Sequence, residues 1–130
     1  MGKRILIVDD DAAISELLRM HFQEAGFDVA TACHGRAALQ HLETDAFDLV
    51  VTDIFMPEQD GLEFIQAARA RHPGVEIIAI SGGGRGFDPN TFLKIARSLG
   101  AKKSFLKPFD CKELVQEAEA LLAKPNRAQA

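Results

Sequence analysis

Asp53 lies inside the run Val50-Val51-Thr52-Asp53-Ile54-Phe55-Met56-Pro57, with apolar residues on both sides. A carboxylate in apolar surroundings is costly unless something compensates its charge. Either this residue reaches water at a strand end or it is held there for chemistry. Two more carboxylates, Asp9 and Asp10, follow Ile5-Leu6-Ile7-Val8, Ser81 closes another apolar run, and Lys107 follows Phe105-Leu106. If these runs are neighbouring strands, the acidic residues converge on one rim and repel one another. A cation and a fixed positive side chain would hold them ionised. Carboxylate oxygens suit a hard ion such as Mg²⁺, which takes one or two carboxylates and keeps waters and phosphate oxygens; Mn²⁺ is a natural substitute. Lys107 supplies the fixed charge and Ser81 a hydroxyl donor. The set suits a transferring phosphoryl group, with metal and lysine neutralising its equatorial oxygens and a carboxylate acting as nucleophile to form an aspartyl phosphate.

Each piece alone also has a plain structural reading. An Asp-Asp pair after a strand can cap a helix, and Asp11 is assigned that role. A serine at a strand end is commonly structural, and a lysine before proline is commonly a solvated loop residue. The combination at successive strand ends, in one order, is what carries the signal.

The elements that would position these residues alternate along the chain. Strands are predicted over Arg4 to Asp9, Phe27 to Thr31, Asp48 to Asp53, Val75 to Ser81 and Lys103 to Leu106. The first helix carries Ile14, Leu17, Leu18, Phe22 and Ala25 on one face and stops at Gly26. A short helix over Gly35 to Glu43 is built around Ala38 and Leu42, and a third runs from about Gly61 to His72-Pro73. Asp88-Pro89 reads as an N-cap followed by proline at the first helical position. That helix carries Phe92, Ile95, Ala96 and Leu99 and ends at Gly100, while Asp110 caps a last one with Leu114, Val115, Ala118, Leu121 and Leu122. The pattern is (βα)5. Near-continuous apolar strands between amphipathic helices imply a parallel sheet covered on both faces, and such sheets bind ligands beyond the strands' carboxyl ends.

Composition sets the limits. The 130 residues make one domain by length, with 47% hydrophobic and 26% charged residues. Cys33 and Cys111 are the two cysteines; far apart and without a CxxC, they indicate neither a disulfide framework nor a zinc site. Reducing cytoplasm is the default compartment. No apolar run approaches the ~20 residues that span a bilayer, and an apolar strand begins too soon for a signal peptide. The net charge of −4, from 19 acidic and 15 basic residues, argues against direct nucleic-acid binding. His21, His34, His41 and His72 are scattered and read as structural rather than metal-binding.

With Asp9, Asp10, Asp53 within "TDIFMPEQDG", Ser81-Gly82 and "FLKPF" at 105–109 on the page, the chain resembles the receiver domain of bacterial two-component response regulators. The resemblance covers about Lys3 to Ala123, so residues 1–123 are expected to form the receiver domain and 124–130 a flexible tail. It implies a flavodoxin-like, doubly wound α/β fold with sheet order 2-1-3-4-5. It also implies that Asp53 accepts a phosphoryl group from a phosphohistidine, and that Asp9, Asp10, Asp53 and the backbone carbonyl of Phe55 hold Mg²⁺. Ser81 and Gly82 would bind phosphoryl oxygens, and Lys107 would pair with carboxylate and phosphate, ahead of a cis bond to Pro108. Pro57 and Gly61 fit the tight turn after the acceptor strand.

Three departures stand out. The family's switch aromatic, three residues before the lysine, is Ser104, and the adjacent Phe105 should face the other way by strand alternation. The loop after the fourth strand, "SGGGRGFDPN", is glycine-rich and long, so Gly82 to Phe87 is expected to be mobile without phosphate. Phe55 and Gly83 stand where polar side chains often orient the hydrolytic water, which implies slow autodephosphorylation.

The resulting expectation is a cytoplasmic, stand-alone receiver, not an enzyme in the usual sense, that catalyses its own phosphorylation. Its partners would be a sensor histidine kinase or histidine phosphotransfer protein, docking around the first helix and the loop after the fifth strand. An unknown downstream protein would be met through the fourth helix, fifth strand and fifth helix, with no nucleic acid or membrane insertion and the chain a monomer or weak dimer. Two alternatives stand beside it: a phosphorylation-independent pseudo-receiver scaffold, and a flavodoxin-like flavin-binding electron carrier.

Overall fold

The apolar strands pair as their composition demands. In the computed structural model, which describes residues 2–54, 61–82 and 88–123, ten elements alternate. They are β1 (Arg4–Val8), α1 (Ala12–Glu24), β2 (Asp28–Ala32), α2 (Gly35–Thr44), β3 (Leu49–Asp53), α3 (Gly61–Arg71), β4 (Glu76–Ser81), α4 (Pro89–Leu99), β5 (Lys103–Leu106) and α5 (Cys111–Ala123). The five strands form one parallel sheet in the order β2-β1-β3-β4-β5. This is the flavodoxin-like arrangement expected. Strand limits differ from the sequence reading by a residue: β1 stops at Val8, which leaves Asp9 just past the strand, and β2 runs one residue later than expected. The expected tail, 124–130, lies outside the described residues, and no helix among the described residues is long and apolar enough to cross a membrane.

Strand alternation divides the core into two layers. Ile5, Ile7, Leu49, Val51, Ile78 and Ile80 face α1 and α5, where they meet Leu18, Phe22, Leu114 and Ala118. Leu6, Val8, Val50, Ile77 and Ala79 face the other way and pack on α2, α3 and α4 through Leu42, Phe64, Ile65, Leu93 and Ala96. Both faces of the central strands are therefore buried, which is why their sequences are apolar without alternation.

α1, α2, α4 and α5 start at the carboxyl edge of the sheet, each with an identifiable cap. Asp11 accepts from the N–H groups of Ala13 and Ile14, Asp88 from Asn90 and Asp110 from Lys112, as the sequence indicated. The cap of α2 is His34, whose Nδ1 accepts from Ala37 N–H at 3.1 Å, a role the sequence reading did not assign. Three apolar side chains expected inside are not. Leu17 and Ile95 are 47% and 40% exposed, and Ala25 is an exposed C-cap, whereas Leu93, not foreseen, is buried. A stripe at helical spacing is wider than the groove available, and the residues at its edges are left in water.

The start of α3 presses on the end of β3. Gly61 N–H donates to the carbonyl of Ile54, and a Cβ on residue 61 would lie 2.4 Å from both the carbonyl oxygen of Asp53 and the Cα of Ile54. Both are backbone atoms, which cannot step aside as a side chain would. Gly61→Ala should destabilise the fold by roughly 2–3 kcal/mol through overpacking, read as a lower midpoint in urea unfolding. An unchanged midpoint would mean that the β3–α3 approach relaxes freely.

Candidate functional site

The rim at the carboxyl edge gathers the residues singled out by their chemistry. Asp9, Asp10 and Asp53 each place a carboxylate oxygen within 4.8 Å of the others. Asp9 and Asp53 are buried while Asp10 is exposed. β1 and β3 are adjacent, so the ends of their ladders bring these residues together.

The two buried aspartates are placed through their backbone. Asp9 N–H donates to the carbonyl of Ala32 at 3.1 Å. Asp9 Oδ1 accepts from Asp11 N–H at 2.9 Å, and the buried Ser15 hydroxyl donates to the Asp9 carbonyl at 3.3 Å. Thr52, fully buried, donates its hydroxyl to the Asp53 carbonyl at 3.0 Å, and Ile54 N–H extends the ladder to the carbonyl of Ile80. The sequence reading missed Ser15 and Thr52. Their signal was available as a hydroxyl on the apolar side of α1 and another in an otherwise apolar strand.

Lys107 completes the cluster. Its Nζ lies 3.0 Å from Asp9 Oδ2 and donates to Asp53 Oδ2 at 3.3 Å, with 18% of the side chain exposed. The contact with Asp9 is an ion pair out of hydrogen-bond alignment, so Asp9 Oδ2 is buried without a hydrogen-bond donor. Lys107 N–H donates to the carbonyl of Ser81 at 2.8 Å and extends the β4–β5 ladder by one residue. The Lys107-Pro108 bond is cis, as expected. A Cβ on Gly82 would come within 3.2 Å of Lys107 Cδ, so the lysine stem lies against the bare glycine backbone.

Burial works against the charge on Lys107. Its polar contact with Asp9 and the charges of Asp53 and Asp9 outweigh that penalty, and its pKa is raised above the usual lysine value. A raised folded-state pKa means that the stabilisation is complete below 10.5 and is lost only as pH rises through the higher folded value. At neutral pH the rim is therefore permanently anchored by one positive charge.

The donor set fits a hard divalent cation. Three carboxylates against one ammonium leave two formal negative charges among the described residues of the cluster, all donors are oxygen, and one buried carboxylate oxygen lacks a hydrogen bond. Asp10 gives access from water, beside a cleft of about 360 Å³ lined by Asp9, Asp10, Ser15, Glu16 and Cys33.

Other expected positions divide clearly. Ser81 is buried at the end of β4, level with Leu106. Ser104 is half-buried opposite Ala79, and Phe105 packs on the other face of the sheet, towards α1 and α5. The alternation that removed Phe105 from the position of an aromatic switch therefore holds. Phe55, Pro57, Gly83 and the loop through Phe87 lie outside the described residues.

Comparison with known proteins agrees with this architecture. The family model for the response regulator receiver domain matches residues 5–119. The alkaline phosphatase synthesis transcriptional regulatory protein PhoP of Bacillus subtilis is 34% identical over 124 residues, 95% of this chain and 50% of the relative. This chain thus spans about half the length of that curated relative. A CheY-like receiver domain protein of Methanospirillum hungatei superposes with a TM-score of 0.85 at 29% identity, covering 94% of both chains. The chemotaxis protein CheY4 of Vibrio cholerae superposes with a TM-score of 0.81 at 27% identity, covering 92% of this chain and 98% of that one. With the sheet order, the acidic rim and the lysine all in their places, the chain belongs to the receiver domain family of two-component response regulators.

Proposed function

We propose that this receiver is a phosphoryl-accepting switch in which Asp53 takes the phosphoryl group of a phosphohistidine. The observation that carries the reading is Lys107 Nζ set between Asp9 and Asp53, with Asp10 beside them at the solvent edge. An Asp53 carboxylate oxygen attacks phosphorus, the phosphorus–nitrogen bond breaks, and the imidazole leaves with the electron pair and takes up a proton. Lys107 balances charge on the phosphoryl oxygens and Ser81 donates its hydroxyl to one of them. Gly82, carrying no side chain, leaves room for the lysine stem. Asp10, Asp53 and the Phe55 carbonyl would hold Mg²⁺, with Asp9 acting through charge and bound water, because its Oδ1 accepts from Asp11 N–H and its Oδ2 faces Lys107. When bound, the ion neutralises phosphoryl charge and orients the group for in-line transfer. A rim of three aspartates after β1 would instead repel the phosphate of a flavin.

The donor would be a histidine kinase or phosphotransfer protein. α1 starts at the rim and presents Leu17 and Met20, 47% and 48% exposed, one helical turn apart. These are the apolar residues that a helical donor domain would cover. Output passes by protein contact.

Incubation with acetyl phosphate and Mg²⁺ should add one phosphoryl mass to the intact protein and none to Asp53→Asn. Equal labelling of the two proteins would sink the acceptor assignment. No labelling of the native protein by any phosphodonor would favour the scaffold alternative.

Leu17→Asp should slow transfer from the cognate kinase by about tenfold, the equivalent of roughly 1.4 kcal/mol, while labelling by acetyl phosphate stays at the native rate. A kinase rate equal to native would remove α1 from the docking surface.

Loss of phosphate should be slow, because phenylalanine at position 55 and glycine at position 83 offer no side-chain hydrogen bond to a hydrolytic water. Phe55→Asn should shorten the lifetime of the aspartyl phosphate several-fold in a phosphate-release assay. If the lifetime is unchanged, water positioning at residue 55 is not limiting.

A further inference from the structure

The lysine of the acidic rim is flanked in sequence by two aromatic residues, Phe105 and Phe109. Lys107 follows Phe105 by two residues, just past the end of β5, and its stem lies against Gly82. Phe105 packs on the face covered by α1 and α5. The Phe105 ring lies 6.3 Å from the ring of Phe109 at an interplanar angle of 59°, so two aromatic rings bracket the Lys107-Pro108 segment. Both rings pack on the cluster that contains Ile14 of α1 with Cys111 and Leu114 of α5. Asp110 caps α5 directly after Phe109, accepting from Lys112 N–H at 2.8 Å. A shift of Phe109 therefore reaches the first turn of α5 through one intervening residue.

The opposite face is built differently. Ser104 stands opposite Ala79 in the β4–β5 register, beneath α4. Two small side chains leave little bulk to push on a helix. Displacement is transmitted best between large groups in contact. Among the described β5 residues that are at least half-buried, the large apolar side chain is Phe105, which faces α1 and α5.

We propose that the state of Asp53 is read out through Phe105 and Phe109 as a repacking of the α1–α5 side of the sheet, with the first turn of α5 as the moving element. The inference rests on Asp53 being the phosphoacceptor. A phosphoryl group there draws Lys107 Nζ from its place between Asp9 and Asp53, and the ring pair on either side of residues 107–108 follows. α5 then presents a changed surface next to α1, where the exposed Leu17 and Met20 lie. The same surface that receives the phosphodonor would thereby change once the donor has delivered.

The chain contains its own reporter. Cys111, the first residue of α5, is half-buried in the cluster, while the other cysteine, Cys33, is exposed. Burial, then the neighbouring charge of Asp110, raises the Cys111 pKa, so its reactivity follows its packing. In a Cys33→Ser protein, the rate of Cys111 alkylation is followed with Mg²⁺ alone and with Mg²⁺ and beryllofluoride, a phosphoryl mimic. Fluorine NMR of the same samples establishes whether the mimic is bound. The expected result is a rate change of about threefold or more on binding, the size of a modest local opening or closing. Phe109→Leu should bind the mimic yet lose most of that change, whereas Ser104→Ala should keep it. An unchanged Cys111 rate with beryllofluoride bound overturns the proposal, as does a full response in Phe109→Leu or its loss in Ser104→Ala. Failure of the mimic to bind native Asp53 overturns the acceptor reading itself, and this inference with it.

Discussion

One ammonium group organises the carboxyl edge of this protein. Lys107 Nζ stands between two buried carboxylates, 3.0 Å from Asp9 and 3.3 Å from Asp53. Without it, two acidic side chains would be buried side by side with Asp10 close behind, and desolvation and repulsion would act together. With it, the described residues of the rim form an acidic site that is folded and still short of positive charge. That residual deficit makes the edge receptive to a divalent ion and to chemistry in which negative charge moves.

The lysine can hold this position because the sheet delivers it there. β5 ends with Leu106, and the ladder continues through Lys107 N–H to the Ser81 carbonyl. β1 and β3 are paired along their length, so Asp9 and Asp53 arrive at the edge together. The hydroxyls of Ser15 and Thr52 donate to the backbone carbonyls of those two aspartates rather than to their carboxylates. Two glycines permit the close approaches involved. Gly61 lets α3 begin against the Asp53 carbonyl, and Gly82 lets the lysine stem lie against β4's end.

The strands were legible because they are buried on both faces, so burial alone forces their composition. The caps Asp11, Asp88 and Asp110 were legible because a short carboxylate before a helix has few other local uses. The His34 cap was not, since an imidazole caps only when its Nδ1 is an acceptor, and residue type does not report that. Leu17 and Ile95 were misplaced for another reason. Helical spacing shows which residues share a face, but not how far the facing sheet extends. Asp9, Asp53 and Lys107 could be assigned from strand ends and family motif. Which Asp9 oxygens are already occupied, by Asp11 N–H and by Lys107, could not be read from residue types.

The two faces of the sheet are unequal in what they can transmit. At the described positions, small residues 79 and 104 meet on the α4 side of β5, while the half-buried rings at 105 and 109 lie on the α1–α5 side. A bulky contact passes on more of a displacement than a small one. The position of one aromatic residue, 105 rather than 104, therefore decides which helices feel the charge state of the rim. Because Phe105 and Lys107 are two residues apart at the end of one strand, charge and bulk are coupled over a short stretch of chain. In this receiver the route from chemistry to surface is consequently short: from Asp53 to Lys107, from Lys107 to the ring pair, and from Phe109 to the first turn of α5.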